Sequence, residues 1–270
     1  MPLVLTYLSQ YKIANSGPLA GQRDESMDWV KGKAAIASAI HLDLTHPQVL
    51  YGRTLQRYVL PEIKWLDVGC GYQILPFWAM SEEAQRELVR PVAMLAGVDV
   101  DERIKDHPLL TCRLKGLGGA LPFRAQTFDL VTANMVVEHI EEPERFLSDV
   151  HRVLRPGGRF LFHTPNLLFW LTFLAHLTPD AVKKPIIWKL EQRQAEDVFP
   201  TRYKINTPWR IARLAKSAGF EVEELNMAGS NRIFDRLGPV GWAECFVQKA
   251  MSVVLGGRLN SNIIAVLKRK

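Results

Sequence analysis

The residue types best suited to chemistry gather in a few short runs. Asp67-Val68-Gly69-Cys70-Gly71 ends an apolar stretch with a carboxylate and a turn of two glycines. Gly97-Val98-Asp99 ends a second apolar stretch on another carboxylate, and Asn134 follows a third, with Glu138-His139 close behind it. An ionised carboxylate is acceptor-only, so it can take both O–H donors of a diol. Glycine lets backbone approach a ligand where a Cβ would collide. In open α/β sheets ligands bind in the crevice outside the carboxyl ends of the strands. These runs together predict a small-molecule site. The position that would carry a third glycine for a dinucleotide pyrophosphate is Ile74, which argues against that ligand.

The run Leu66-Asp67-Val68-Gly69-Cys70-Gly71 resembles the first motif of class I S-adenosylmethionine-dependent methyltransferases. Further segments line up with that family in order. They are Gly97-Val98-Asp99-Val100-Asp101, Leu121-Pro122-Phe123, Thr127-Phe128-Asp129-Leu130-Val131, Val137-Glu138-His139-Ile140 and Arg152-Val153-Leu154-Arg155-Pro156-Gly157-Gly158. The resemblance is close over residues 46 to 166 and loose over 196 to 225. It implies S-adenosyl-L-methionine as cofactor. It assigns Asp99 to the ribose diol and Asp67 to ordering the turn and reaching the amino-acid end. Gly69 and Gly71 would give close backbone approach, Leu121 would pack on the adenine face, and backbone at Asn134 would lie near the sulfonium or amino group.

For transfer to oxygen or nitrogen, a base with a pKa near neutrality helps. His139 is either that base, or a group orienting the acceptor, or a histidine packed beside the next helix. His163, Asn166, Arg202 and Tyr203 are further candidates to face the acceptor. A related subgroup binds a divalent metal through ExxEH, but Met135 breaks that pattern here, so no metal site is expected. Two further departures stand out. Tyr72 and Gln73 replace the usual small residue and glycine, and Leu117 stands where an acid often accepts from the adenine amino group.

The elements that must position these residues follow from pattern. Strands are predicted over Ile63–Val68, Val92–Val98, Leu109–Leu114, Phe128–Ala133, Arg159–Thr164, Phe220–Leu225 and Ile263–Lys268. Helices are predicted near 30–40 and over Gln48–Val59, Gly71–Met80, Ser81–Arg90, Pro143–Leu154, Pro208–Ser217 and Trp242–Leu255. Strands alternating with helices imply an α/β, Rossmann-like, doubly wound and mostly parallel sheet; the family resemblance makes it seven-stranded. Residues 1–45 read as an amino-terminal arm and 46–270 as the methyltransferase domain, with insertions at about 166–200 and 226–262. The aromatic-rich stretch 167–188 either covers the sheet or forms a dimer face, or it caps a lipid-like or aromatic acceptor and touches an anionic membrane. Lys183, Lys184, Lys189 and Lys268-Arg269-Lys270 would suit anionic headgroups or simply lie in solvent.

The chain has 270 residues, 47 % of them apolar, with a formal charge of +6. That excess permits an anionic partner without demanding one. No aromatic-basic motif or RNA-binding appendage appears, so nucleic acid is not the expected partner. Cys70, Cys112 and Cys245 form no CxxC pair, so a zinc ribbon or disulfide framework is not supported, and reduced cytosolic thiols are the expectation. The amino terminus shows no signal peptide. The apolar run Leu167–Leu177 is short of the ~20 residues needed to span a bilayer. The expectation is a methyltransferase acting on a hydroxyl or similar nucleophile of a small-molecule, lipid-linked or saccharide acceptor. The alternatives are an RNA methyltransferase and a non-catalytic scaffold with the same fold.

Overall fold

The computed structural model describes residues 25–116, 120–178, 200–229, 239–255 and 257–270. Leu117, Lys183, Lys184, Trp188, Lys189 and the first part of the amino-terminal arm lie outside the described residues. The chain divides into two compact units. One comprises residues 1–50, 168–198 and 227–261; the other comprises 51–167, 199–226 and 262–270.

The second unit is built on one seven-stranded sheet in the order β3-β2-β1-β4-β5-β7-β6. Its strands are β1 Lys64–Val68, β2 Met94–Asp99, β3 Cys112–Lys115, β4 Phe128–Asn134, β5 Leu154–Pro165, β6 Phe220–Ala228 and β7 Asn262–Arg269. β1 pairs in parallel with β2 and β4, β2 with β3 and β4 with β5, whereas β7 runs antiparallel to β5. Helices follow the strands, giving the doubly wound Rossmann-like architecture. Trp65, Leu66, Val131, Ala133, Phe160, Leu161 and Phe162 are fully buried, as strands covered on both faces require.

Helix α4 (Pro143–Val153) buries Phe146, Leu147, Val150 and Val153 and leaves its charges outward, so its period of 3.6 was legible in sequence. Helix α2 (Pro47–Tyr58) starts on the proline that suits a first turn. Helix α3 (Glu82–Val89) is capped by Ser81, whose hydroxyl accepts from Ala84 N at 3.2 Å. Helix α6 (Pro208–Ser217) follows Thr207, whose side chain makes no capping hydrogen bond.

The predicted helix Gly71–Met80 is not formed; the segment is a series of turns. Gly71 sits at φ +52°, and Pro76 has no N–H to give a helix. The side chain of Gln85 substitutes for the missing ladder: it accepts from Leu75 N and donates to the carbonyls of Leu75 and Met80 at 2.7 and 2.8 Å. Strand β5 starts earlier than predicted, directly after α4, and absorbs Pro156-Gly157-Gly158 through a register shift opposite Phe128–Leu130.

In the first unit, α1 (Glu25–Ala39) packs with α7 (Pro239–Leu255) around Val30, Ala34, Ala37, Leu44 and Cys245. Trp29 and Trp242 rings meet at 5.2 Å, and a Cβ on Gly32 would fall 2.6 Å from the Trp242 ring, which explains a glycine inside a helix. Lys33 Nζ donates to Glu244 Oε2 at 2.8 Å, both side chains being almost wholly buried. Breaking such a pair by removing one partner typically costs about 3–5 kcal/mol. The same unit holds α5 (Trp170–Leu177).

Candidate active site

The carboxyl ends of β1, β2 and β4 bring most of the sequence-predicted residues together. Parallel register places Asp67 opposite Gly97 and Thr132, and Val68 opposite Val98 and Ala133. Asp99 then lies at the end of β2 beside the glycine turn. Its Oδ2 accepts from Gly71 N at 2.6 Å and its Oδ1 from Asp101 N at 2.8 Å. Asp101, not Asp99, caps the following 3-10 turn, accepting from Arg103 N at 2.8 Å.

The two glycines have different jobs. Gly69 has φ +68°, and a Cβ there would fall 2.2 Å from Val136 Cγ2, so the turn closes against the loop after β4. Gly71 has φ +52°, and a Cβ there would meet nothing within 4 Å. Gly69 is demanded by packing, whereas a Cβ on Gly71, whose N–H donates to Asp99, would enter open space. Gln73 reaches Tyr72 Oη at 3.5 Å, and its Oε1 is buried without a partner among the described residues. Cys70 is buried, and burial pushes its thiol up, which makes it a packing residue rather than a nucleophile.

Asp67 is 3 % exposed. Burial pushes its pKa up to about 7, against the lowering effect of the Thr132 hydrogen bond, and the Asp99 charge adds to the rise. Thr132 Oγ1 lies 2.5 Å from Asp67 Oδ1 and receives Trp65 Nε1 at 2.7 Å. Asp129 ties β4 to β1 by accepting from Lys64 N at 2.8 Å and pairs with Arg155 at 2.7 Å, so it serves the sheet.

Leu121 is buried, and its backbone is held at both ends. Asp149 accepts from Leu121 N, while Arg152 donates to the carbonyls of Leu121 and Phe123 at 2.9 and 2.6 Å. Arg152 also pairs with Asp149 at 2.7 Å. Sequence reading missed these two positioning residues. Their i,i+3 spacing on α4 was visible, but their targets are backbone groups far away in the chain.

Asn134 turns its side chain to His163, with Oδ1 2.9 Å from Nδ1, and Asn262 Oδ1 lies 3.0 Å from His163 Nε2. His163 is buried, stacks on Tyr51 at 5.7 Å, and is pulled down to about 4 by burial. A neutral ring donates from one nitrogen only, so one asparagine amide must present its N–H to the other. His163 and Asn166 are inside the fold and do not face an acceptor, contrary to expectation.

The loop after β4 carries a second buried carboxyl. Burial pushes Glu138 up to about 7, against hydrogen bonds from its own backbone and Thr164 that lower it. Thr164 Oγ1 donates to Glu138 Oε2 at 2.9 Å, and Asn206 Nδ2 donates to Thr164 Oγ1 at 2.6 Å and to Pro165 O at 3.0 Å. Arg202 N and Tyr203 N donate to Glu138 O at 2.7 and 3.1 Å. This knot fixes the loop 200–206 beside the 3-10 turn Val137–His139. Arg202 is spent on Glu141, at 2.5 Å.

His139 sits at the outer edge of the knot. Its Nδ1 lies 3.0 Å from Pro200 O. A carbonyl only accepts, so Nδ1 carries the proton and Nε2 is the basic nitrogen of the neutral ring. Nε2 lies 3.9 Å from Glu138 Oε1.

S-adenosylmethionine fits what is present. Asp99 uses one lone pair of each oxygen on backbone and keeps acceptor capacity for a diol, beside a glycine with free space on its Cβ side. No group of His, Cys, Asp and Glu that could hold a metal ion occurs among the described residues.

Comparison with known proteins bears on the family. Two family models described as methyltransferase domain match residues 66–162 and 116–212. The demethylmenaquinone methyltransferase of Symbiobacterium thermophilum is 34 % identical over 192 residues, 61 % of this chain and 71 % of the relative. The ubiquinone biosynthesis O-methyltransferase of Hahella chejuensis is 32 % identical over 124 residues, 41 % of this chain; the chain spans only about half of that relative, 47 %. An S-adenosylmethionine-dependent methyltransferase structure from Mesorhizobium loti shares the fold with a TM-score of 0.50 at 16 % identity, over 81 % of this chain and 98 % of its own. The chain belongs to the class I S-adenosylmethionine-dependent methyltransferases.

Proposed function

We propose that this protein transfers the methyl group of S-adenosylmethionine to a hydroxyl of a small, lipid-linked acceptor of the isoprenoid quinone kind. The observation that carries the reading is a glycine-bordered carboxylate at Asp99, at the carboxyl end of β2, together with a histidine, His139, in the turn that follows β4, with Nδ1 held against Pro200 O. The names of the relatives, one an O-methyltransferase of ubiquinone biosynthesis and one a demethylmenaquinone methyltransferase, support a quinone-like acceptor. No helix among the described residues is long and apolar enough to cross a membrane, which suits a cytoplasmic enzyme meeting its lipid acceptor at a membrane surface.

When bound, the cofactor supplies a methyl carbon activated by positive sulfur. The chain's own residues bind and orient. Asp99 holds the ribose diol, Asp67 with Thr132 shapes the turn at the amino-acid end, and Leu121, fixed by Asp149 and Arg152, packs on the adenine. Backbone at Asn134 and Met135 faces the reacting end, with Met135 held at φ +58° by its N–H bond to His163 O at 2.8 Å. Nε2 of His139 takes the hydroxyl proton as oxygen attacks, and Glu138 steadies the resulting imidazolium. Much of the rate comes from alignment of the reacting atoms.

The test is methyl transfer from labelled S-adenosylmethionine to hydroxylated quinols with short isoprenoid tails, beside a saccharide panel. Turnover of the quinols alone is the expected result. Turnover of saccharides alone, or of RNA, would replace the acceptor class and keep the cofactor assignment.

A further inference from the structure

Residues 160–162 of β5 are Phe, Leu and Phe, all fully buried, and the next residue is a buried histidine, His163. A residue that merely fills space there would be apolar like its neighbours. His163 pairs in register with Asn134, the last residue of β4, and with Ile264 of β7. Two separate links run from it to the turn after β4. Its carbonyl accepts from Met135 N at 2.8 Å, and its ring Nδ1 lies 2.9 Å from Asn134 Oδ1. On the far side Nε2 lies 3.0 Å from Oδ1 of Asn262, the first residue of β7, and the ring stacks on Tyr51 of α2 at 5.7 Å. The imidazole is thus held at both nitrogens and on one face. Turning it would break hydrogen bonds in a buried place, where an unmet polar group is costly. Burial pulls its pKa down to about 4, so the ring is neutral at pH 7 and brings no positive charge toward a site proposed for a cation.

What these links hold is uncommon backbone. Met135 has φ +58°, a left-handed conformation that few non-glycine residues adopt. Such a conformation persists where its surroundings over-determine it. We propose that the His163 side chain is a positioning residue: by fixing Asn134 it holds the turn Asn134–Met135 in place to receive the sulfonium and amino-acid end of S-adenosylmethionine. The inference rests on the proposed function, in which that backbone faces the reacting end, and adds to it a residue that touches neither cofactor nor acceptor. Asn262 extends the tether by one strand, so the turn is anchored across β4, β5 and β7. Loss of the ring would leave the Met135 N–H bond to the His163 carbonyl and remove the side-chain link alone.

The experiment is calorimetric titration of the full chain near neutral pH with two ligands. One is S-adenosylmethionine; the other is methylthioadenosine, which keeps the adenine and ribose and lacks the amino-acid end and the charged sulfur. His163→Phe keeps a ring to stack on Tyr51 and removes both ring hydrogen bonds. It is expected to weaken S-adenosylmethionine about tenfold and to leave methylthioadenosine within about twofold. Asn134→Ala is expected to match that loss, and adding His163→Phe to it to cost no more than about twofold further, because both changes remove one link. Asn262→Leu, at a half-buried position, removes only the outer hydrogen bond. It is expected to weaken S-adenosylmethionine about threefold with the same selectivity, and it carries the test if His163→Phe fails to fold in urea titration. Three outcomes overturn the proposal: variants that bind S-adenosylmethionine as wild type does; an equal loss of both ligands, the mark of a general structural role; and losses from Asn134→Ala and His163→Phe that simply add. Binding of neither ligand by wild type would overturn the cofactor reading itself and this inference with it, an outcome distinct from the other three, in all of which wild type binds.

Discussion

Asp67 and Glu138 are both buried carboxyls raised to about 7 by desolvation, yet their settings differ. Asp67 stands behind a glycine turn that borders open space, with a second acid, Asp99, at its rim. Glu138 is closed into a knot of Thr164, Asn206 and the backbone of residues 202–203. One carboxyl lies behind the turn proposed to hold the cofactor; the other anchors the loop that carries His139. Similar burial thus sits in two settings, for which the proposed roles are binding in one and positioning in the other.

The sharpest way to break this distinction is to neutralise each side in turn. Asp99→Ala is expected to weaken S-adenosylmethionine binding by at least about 100-fold in calorimetry, roughly 3 kcal/mol for charge-assisted hydrogen bonds to a diol. Glu138→Gln should leave that affinity within threefold; an equal loss in both would merge the two regions into one site.

The next largest effect tests the positioning side. His139→Asn is expected to lower kcat for methyl transfer by about 100-fold, within the range for a general base, without changing cofactor affinity. Unaltered kcat would leave His139 as a packing residue.

Stability separates the two further. Asn206→Ala removes the donor that holds Thr164 and Pro165 O and is expected to cost about 2 kcal/mol in urea unfolding, while Asn134→Ala, nearer the surface, costs less. Equal costs would show that the knot is no tighter than its surroundings.

The smallest effect is in the pH dependence. Both acids have folded pKa values near 7 against unperturbed values of 3.8 and 4.5. Between those limits the folded state holds protons that the unfolded state has released. Their contribution to stability is thus greatest below about pH 4 and is lost as pH rises through 7. Asp67→Asn and Glu138→Gln should each flatten the decline of urea midpoints between pH 5 and 8, and the binding of cofactor should flatten it only where Asp67 is intact.

Much of this was legible in the chain. The strands showed as apolar runs ending on Asp67, Asp99 and Asn134, because buried parallel strands leave that trace. Helix α4 showed because its inward face is apolar at helical spacing. The segment 71–80 misled because its apolar residues carry helical spacing while Gly71 and Pro76 prevent the helix. The knot around Glu138 was illegible because Asn206 reaches it from 42 residues beyond Thr164. The buried ion pair between α1 and α7 was hidden for the same reason: Lys33 lies 211 residues before Glu244.

Strand β7 has a consequence for synthesis. It lies between β5 and β6, in register with β5 from Arg159 opposite Lys268 to Pro165 opposite Asn262. Every other strand of the sheet is translated before it. Until residues 262–269 leave the ribosome, β5 keeps a bare hydrogen-bonding edge and β6 has no neighbour, and such edges recruit other chains. The nascent protein therefore carries an open sheet edge from the completion of β5 until β7 is made, and loss of residues 262–269 would remove the strand that joins β6 to the rest of the sheet.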